Sequence, residues 1–274
     1  MLFRSLDSFN ADILEKASGS RKSGLTFAPE AGTQRLRNVI NKNITYDDLM
    51  GSMRIAFSGG RNSVKLYFML GLPTETDDDI DGISKLVFDV LQLYMQMPCE
   101  TKKRKPEITV SAAIFVPKPF TPFQWEAQER LEELTRKQRR LRDLLKSRYI
   151  RFQWHGSEAS LWEAVLARGD RRLGKVILKA YQEGCCFDSW DDRFDFSVYS
   201  RIMTEEGLEI DHYANRKRSY DEVFPWDHID CGVSKEFLKS ENAKAYAEIT
   251  TDECRVMCSG CGAAAFGGGV CIDR

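Results

Sequence analysis

Three cysteines, at 254, 258 and 261, stand in the stretch DECRVMCSGCG with the spacing C-x3-C-x2-C. Thiolates this close together suit a soft metal, either zinc or the irons of an Fe–S cluster. Either centre wants a fourth ligand. Cys231, Cys271 and His228 are the candidates, Cys271 being the nearest in sequence of the three. The plain alternative is reduced thiols in a tail that also carries Gly267, Gly268 and Gly269. The other cysteines, Cys99, Cys185 and Cys186, lie outside the pattern. Adjacent Cys185 and Cys186 are expected to pack as small apolar side chains.

Three further stretches have the composition of ligand-facing loops. They are Pro29-Glu30-Ala31-Gly32-Thr33, Gly71-Leu72-Pro73-Thr74-Glu75, and the proline-rich Pro117-Lys118-Pro119-Phe120-Thr121-Pro122. The first offers a carboxylate that could accept from a ribose hydroxyl. In the second, Gly71 lets backbone approach a ligand and Pro73 stiffens the turn. Each could equally be a strand-to-helix turn with acids capping the helix.

The elements that position these loops are legible from periodicity. Residues 23–30 read as a buried strand. A helix follows with Thr33 as its N-cap, then a second over YDDLMGSMRIAFS that stops at Gly59-Gly60. SVKLYFML alternates with period two, as a strand does. The next helix opens on an acidic turn at TETDDDI, which suits the positive end of a helix dipole. EITVSAAIFV is a third strand, ended by Pro117 and Pro119, and a long helix is expected over about 126–148. Strands alternating with helices at this spacing make βα units with parallel strands. The predicted fold class is therefore α/β, with a mainly helical and loop-rich remainder. The expected organisation is 1–148, 149–250 and a cysteine-rich tail at 251–274.

Bulk properties narrow the functions. Hydrophobic residues make up 42% and charged residues 30%, with a net charge of −1, so no global field draws the chain to nucleic acid or an acidic membrane. No run is apolar and long enough to span a bilayer, and the first residues lack the apolar core of a signal peptide. A cytoplasmic location is expected, where thiols stay reduced. Within 131–151 a basic strip (Arg136, Lys137, Arg139, Arg140, Arg142, Lys146, Arg148, Arg151) backs an apolar face of Leu131, Leu134, Leu141, Leu144 and Leu145. It is either an RNA-contacting surface or a solvated face balanced by nearby acids. Arg168, Asp170, Arg171 and Arg172 form either an ion-pair staple or an anion pocket. With His155 and His228 they are the candidate substrate-facing region.

Taken in order, the three loops and their strands resemble the second half of a radical S-adenosylmethionine (radical SAM) barrel. GLTFAPEAGTQRLRNVINKNIT is similar to its fourth strand and helix, SVKLYFMLGLPTETDDDI to the fifth, and ITVSAAIFVPKPFTPFQW to the sixth. LARGDRRLG, SYDEVFPWDHID and CGVSKEFL are similar to one uncharacterised subfamily with a cobalamin-binding-like domain ahead of the barrel. The resemblance implies about three parallel βα units of a partial TIM barrel, followed by a mainly α-helical extension. It implies SAM and a [4Fe–4S] cluster in the intact protein and an electron donor such as ferredoxin or flavodoxin, with cobalamin a further candidate cofactor. Glu30 would sit near the SAM ribose, helped by the Thr33 hydroxyl. Lys42 stands where relatives place an Arg near the SAM carboxylate, keeping the charge but losing the two-pronged geometry. Gly71 and Pro73 would turn beside the adenine, with Phe115 and Pro117 flanking it.

The departure from that family is large. The barrel's own C-x3-C-x2-C after its first strand, and a Gly-Gly-Glu-like turn after the second, do not occur before residue 23. The expectation is a C-terminal portion that starts just after the third strand, with the missing N-terminal part as its partner and no activity alone. Cys254, Cys258 and Cys261 come too late in the chain to hold the SAM cluster. They are assigned to an auxiliary Fe–S cluster or a zinc site. The competing class is a non-enzymatic, zinc- or cluster-stapled RNA-binding module.

Overall fold

A computed structural model describes residues 2–3, 25–98, 100, 104–190, 192–254 and 256–266. Its strands are β1 (Leu2–Phe3), β2 (Leu25–Glu30), β3 (Ser63–Leu70), β4 (Glu107–Ile114) and β5 (Ile150–Trp154). They form one sheet in sequence order, β1-β2-β3-β4-β5. The pairings β1 with β2, β2 with β3 and β4 with β5 are parallel. The helices between them are α1 (Gln34–Val39), α2 (Tyr46–Ser58), α3 (Asp77–Gln96) and α4 (Leu131–Leu144). The fold is α/β with a parallel sheet.

Chain contacts divide the protein into two compact units. The first comprises Met1–Ala113, Thr135–Trp154 and Glu248–Thr250. The second comprises Ile114–Leu134, His155–Ala247 and Thr251–Arg274. This differs from cuts at 148 and 250, because the chain passes between the units more than once. The loop after β4 belongs to the second unit, where Trp125 packs with Phe224, Trp226 and Leu238.

In the first unit the alternation of β3 buries Val64, Leu66, Phe68 and Leu70 on one face. Leu25 and Phe27 of β2 and Ile108, Val110 and Ala112 of β4 join them. Leu49, Met53 and Phe57 of α2, Ile80, Ile83, Val87 and Val90 of α3, and Leu141 of α4 pack over that face. Each such side chain contributes about 1.5–3 kcal/mol of burial. Alternation sends the remaining strand residues to the opposite face. Thr26 lies beside Lys65 there, Thr109 beside Arg151 and Ser111 beside Gln153. Lys65 stands over the Tyr67 ring at 4.6 Å. One face of the sheet is thus apolar and helix-covered, and the other is largely polar.

Two elements depart from the sequence expectation. The helix expected over 126–148 is shorter, and the stretch after it turns into β5. Ile150, Phe152 and Trp154 alternate there, so Arg151 belongs to a strand and not to the basic helix. A further strand, β1, also pairs ahead of β2, the element expected to come first.

The second unit holds α5 (Ser157–Ala167), α6 (Leu173–Gln182), α7 (Phe196–Glu205), α8 (Ile210–Tyr213) and α9 (Lys235–Tyr246). Leu161, Trp162, Val165, Val176, Tyr199, Ile202 and Tyr213 form its core. Cys185 packs partly against this core, as expected, whereas Cys186 is exposed. Among the described residues no helix is long and apolar enough to cross a membrane.

Candidate functional site

The C-terminal end of β2 is built around a bulge. Phe27 pairs with Leu66 and Glu30 with Phe68, so three steps on β2 oppose two on β3. Bulges re-aim side chains and are frequent beside active sites. Pro29 inside this strand is tolerated because a bulge needs no ladder hydrogen bond from it. Glu30 itself has φ 68°, a left-handed conformation that costs a non-glycine residue energy. Thr74, in the loop after β3, has φ 66°.

Glu30 and Lys42, assigned to the same cofactor by resemblance, are brought together. The Lys42 ammonium lies 3.3 Å from Glu30 Oε1. The chain returns there by a tight turn after α1, in which Lys42 N–H donates to the Arg37 carbonyl at 2.8 Å. Burial pushes the Glu30 carboxyl above its ordinary range, and Lys42 offsets part of that shift. Arg37 is buried and braces the loop. It donates to the carbonyls of Ala31 and Ile44 at 3.0 Å each.

The other expected contacts are taken up by the fold. Thr33 caps α1, accepting from Leu36 N–H at 3.2 Å, and donates its hydroxyl to Asp79. The hydroxyl's proton and one of its two lone pairs are thus used within the loop. Asp79 also accepts from the Thr76 N–H at 2.8 Å and from Arg35. Burial acts to raise the Asp79 carboxyl, but bonds from Thr33, Thr76 and Arg35 outweigh it and hold the carboxyl below its ordinary value. Gly71 turns with φ 79°. Its N–H is held by Glu75 Oε2 at 2.8 Å, so the backbone approach expected there serves the turn itself. Pro73 follows in the same turn. Phe115 and Pro117 fall in the second unit.

Close backbone packing locks these loops together. A Cβ on Gly32 would stand 2.2 Å from Ile83 N and 2.3 Å from the Asp79 carbonyl oxygen. The loop after β2 therefore rests directly on the first turns of α3.

The basic strip of α4 meets the acidic start of α3. Arg136 makes two bonds to Asp77, at 2.9 and 3.1 Å, and Arg140 makes two to Asp81, both at 2.8 Å. Lys137 donates to Glu75 Oε2 at 2.9 Å, with side-chain exposures of only 5% and 1%. Leu134, Leu141 and Leu145 are buried as expected, whereas Leu144 is exposed.

In the second unit, Arg168 is 1% exposed. It donates to the carbonyls of Ala214 and Arg216 at 2.5 and 2.9 Å, while Arg218 donates to its carbonyl at 2.8 Å. Burial, with Arg218 and Arg216 nearby, lowers the Arg168 pKa to about 9. Asp170 pairs with Arg172, which together with the Arg172 backbone N–H lowers its pKa to about 2. The cluster is a staple between two segments of this unit. Arg171, His155 and His228 are exposed.

Of the cysteines, Cys254, Cys258 and Cys231 are exposed and Cys261 is half-buried. Cys271 and Cys99 lie outside the described residues. Among the described residues no three His, Cys, Asp or Glu side chains already stand together as a metal site.

No family model and no solved structure matches the chain. It is similar to uncharacterized protein MJ0966 of Methanocaldococcus jannaschii, at 33% identity over 207 residues. The match covers 72% of this chain and 43% of that protein, so the chain spans less than half the length of its relative.

Proposed function

We propose that this chain contributes SAM-facing strands to a radical SAM iron–sulfur enzyme. The observation that carries the reading is the one-way winding of the sheet. Its strands follow in sequence order, and α2, α3 and α4 pack on one face. A doubly wound sheet reverses its order and carries helices on both faces. A barrel keeps adding neighbours in one direction and keeps its helices outside. The polar opposite face, with Thr26, Lys65, Tyr67, Thr109 and Ser111, suits a ligand-lined interior.

The residues fit SAM in part. Glu30, half-buried at the bulge, can accept from ribose hydroxyls as a carboxylate, and Lys42 offsets part of the burial that raises its pKa. The Gly71 N–H is held by Glu75 and the Thr33 proton by Asp79, which leaves Thr33 a lone pair to offer. A reduced [4Fe–4S] cluster with SAM would supply hydrogen-abstraction chemistry when bound. The work of this chain is to hold the ribose at Glu30 and keep the strand ends rigid. The reading brings with it a low-potential donor of the ferredoxin or flavodoxin class, and leaves a place for cobalamin. The competing RNA-binding module needs available cations along α4, and Arg136, Lys137 and Arg140 are engaged by Asp77, Glu75 and Asp81.

The test is anaerobic SAM cleavage by the polypeptide expressed from its complete reading frame, with a chemical reductant and 5′-deoxyadenosine as the readout. Cleavage is expected, with Glu30→Gln weakening SAM binding about tenfold, the loss of roughly one good charge-assisted pair. Absence of both SAM binding and 5′-deoxyadenosine in cluster-loaded protein overturns the reading.

A further inference from the structure

Two cysteine–glycine turns face one another in the second unit. Gly232 follows Cys231 and Gly262 follows Cys261, and both glycines are left-handed, with φ 82° and 99°. The Ser234 N–H donates to the Cys261 carbonyl at 2.9 Å. A Cβ on Gly262 would fall 3.3 Å from the Gly232 oxygen and 3.4 Å from Ser234 N. Only glycine adopts this turn at this approach without strain. The first turn is fixed in its own right. Asp230 accepts from the Gly232 N–H at 2.9 Å, and Ser234 caps α9. On the other side Gly260, φ 72°, bends the chain between Cys258 and Cys261.

This contact places Cys231, one of the candidate fourth ligands, beside the cysteine loop. Consecutive Cα atoms are about 3.8 Å apart, so backbone contact between residues 232–234 and 261–262 brings Cys231 within a short reach of Cys261. Cys258 and Cys254 arrive on the same strand of chain. We propose that Cys231, Cys254, Cys258 and Cys261 form one metal centre of four thiolates, with Cys231 as the fourth ligand. A tetrahedron of thiolates at about 2.3 Å suits zinc, and the same donor set holds an Fe–S cluster. The thiols are not yet gathered, so the metal itself closes the loop onto the Cys231 turn, as coupling of metal binding to folding allows. The site stands independently of the radical SAM reading, since it uses none of Glu30, Lys42 or the sheet.

The experiment uses the full 274-residue chain, purified without oxygen in the metal-free state. It is titrated with cobalt(II) as a spectroscopic stand-in for zinc, and reconstituted in parallel with ferrous iron and sulfide. The expected result is one centre per chain with the sulfur-to-metal charge-transfer intensity of four thiolates. Cys231→Ser should remove one thiolate's share and weaken binding about 100-fold, whereas Cys271→Ser should leave both unchanged. Gly262→Ala keeps every thiol but forces the turns apart, and should weaken binding about tenfold. Displacement of cobalt by zinc, or formation of a stable cluster, identifies the metal and supports the assignment either way. Dependence on Cys271 instead of Cys231 overturns it, as does wild-type protein that takes up neither metal nor cluster. SAM cleavage is a separate readout, so failure here and failure of the proposed function are told apart.

Discussion

The strand-end loops of the first unit and the cysteine loop of the second are built in opposite ways. In the first, the groups that could do chemistry are mostly committed. Thr33 is tied to Asp79, Lys137 to Glu75, Arg136 to Asp77 and Arg140 to Asp81, and the loop backbone is pressed onto α3 through Gly32. What this rigid frame leaves over is one half-buried carboxylate, Glu30, with one lysine. In the second, the reactive groups are exposed, and only a backbone contact between two glycine turns organises them. A preorganised cradle suits a ligand that must be held in one orientation. A loose thiol loop suits a ligand that supplies its own geometry.

The contrast can be broken most severely at Lys137. Its ammonium meets Glu75 where both side chains are almost fully buried. Removing one partner of a buried ion pair costs about 3–5 kcal/mol, because the remaining charge must stay out of water. Lys137→Ala should therefore lower the urea midpoint sharply and loosen the Gly71 turn that Glu75 holds. A variant as stable as wild type would mean that this pair does not brace the loop. Gly32→Ala comes next. Its Cβ would collide with the backbone of α3, which cannot rotate away as a side chain could. A loss of about 3 kcal/mol is expected by thermal or urea unfolding. No equivalent loss is expected for Gly260→Ala in the cysteine loop, where nothing lies within 4 Å, apart from the modest cost of its positive φ.

Asp79 sharpens the comparison through pH. Its folded pKa lies below the ordinary 3.8. The unfolded chain therefore binds more protons near that value. Stability from Asp79 is fully present above about pH 4 and is lost as pH falls through the folded pKa. Asp79→Asn should cost about 2 kcal/mol at neutral pH, by weakening the charge-assisted bonds from Thr33, Thr76 and Arg35. It should also flatten the acid limb of the stability curve. An unchanged slope between pH 4 and 2 in the variant would count against Asp79 as the hub of these loops.

Much of this frame is legible in sequence, and the exceptions have physical causes. The alternation in SVKLYFML and the acidic first turn of α3 are local, and local patterns survive folding. β5 escapes because no glycine or proline separates it from α4, so Ile150, Phe152 and Trp154 read as the tail of a basic helix. Thr33 is legible as a cap, yet its second bond reaches Asp79, 46 residues away, and no periodicity reports that partner. Arg37 gives no signal of its bracing role, since the acceptors that fix the loop are the backbone carbonyls of Ala31 and Ile44. The spacing of Cys254, Cys258 and Cys261 is visible in sequence, but the approach of the Cys231 turn to Cys261 depends on two turns meeting in space.

The smallest expected effect is on the outer face of α4, and it separates the two readings of that helix. Arg139 is exposed, unlike Lys137 two residues earlier. Exposed substitutions of this kind change stability by no more than about 0.5 kcal/mol, so Arg139→Gln should unfold with wild-type protein. If α4 is a face of the barrel, its cations serve α3, and neutralising Arg139 leaves the affinity for a single-stranded RNA probe unchanged at every salt concentration. If α4 is an RNA surface, Arg139 is among the cations best placed to reach phosphate. Its loss would then weaken binding and lower the salt slope by about one counterion. A salt-dependent loss at Arg139 would transfer function from the strand ends to the helix surface and make the carboxylate at Glu30 a matter of packing alone.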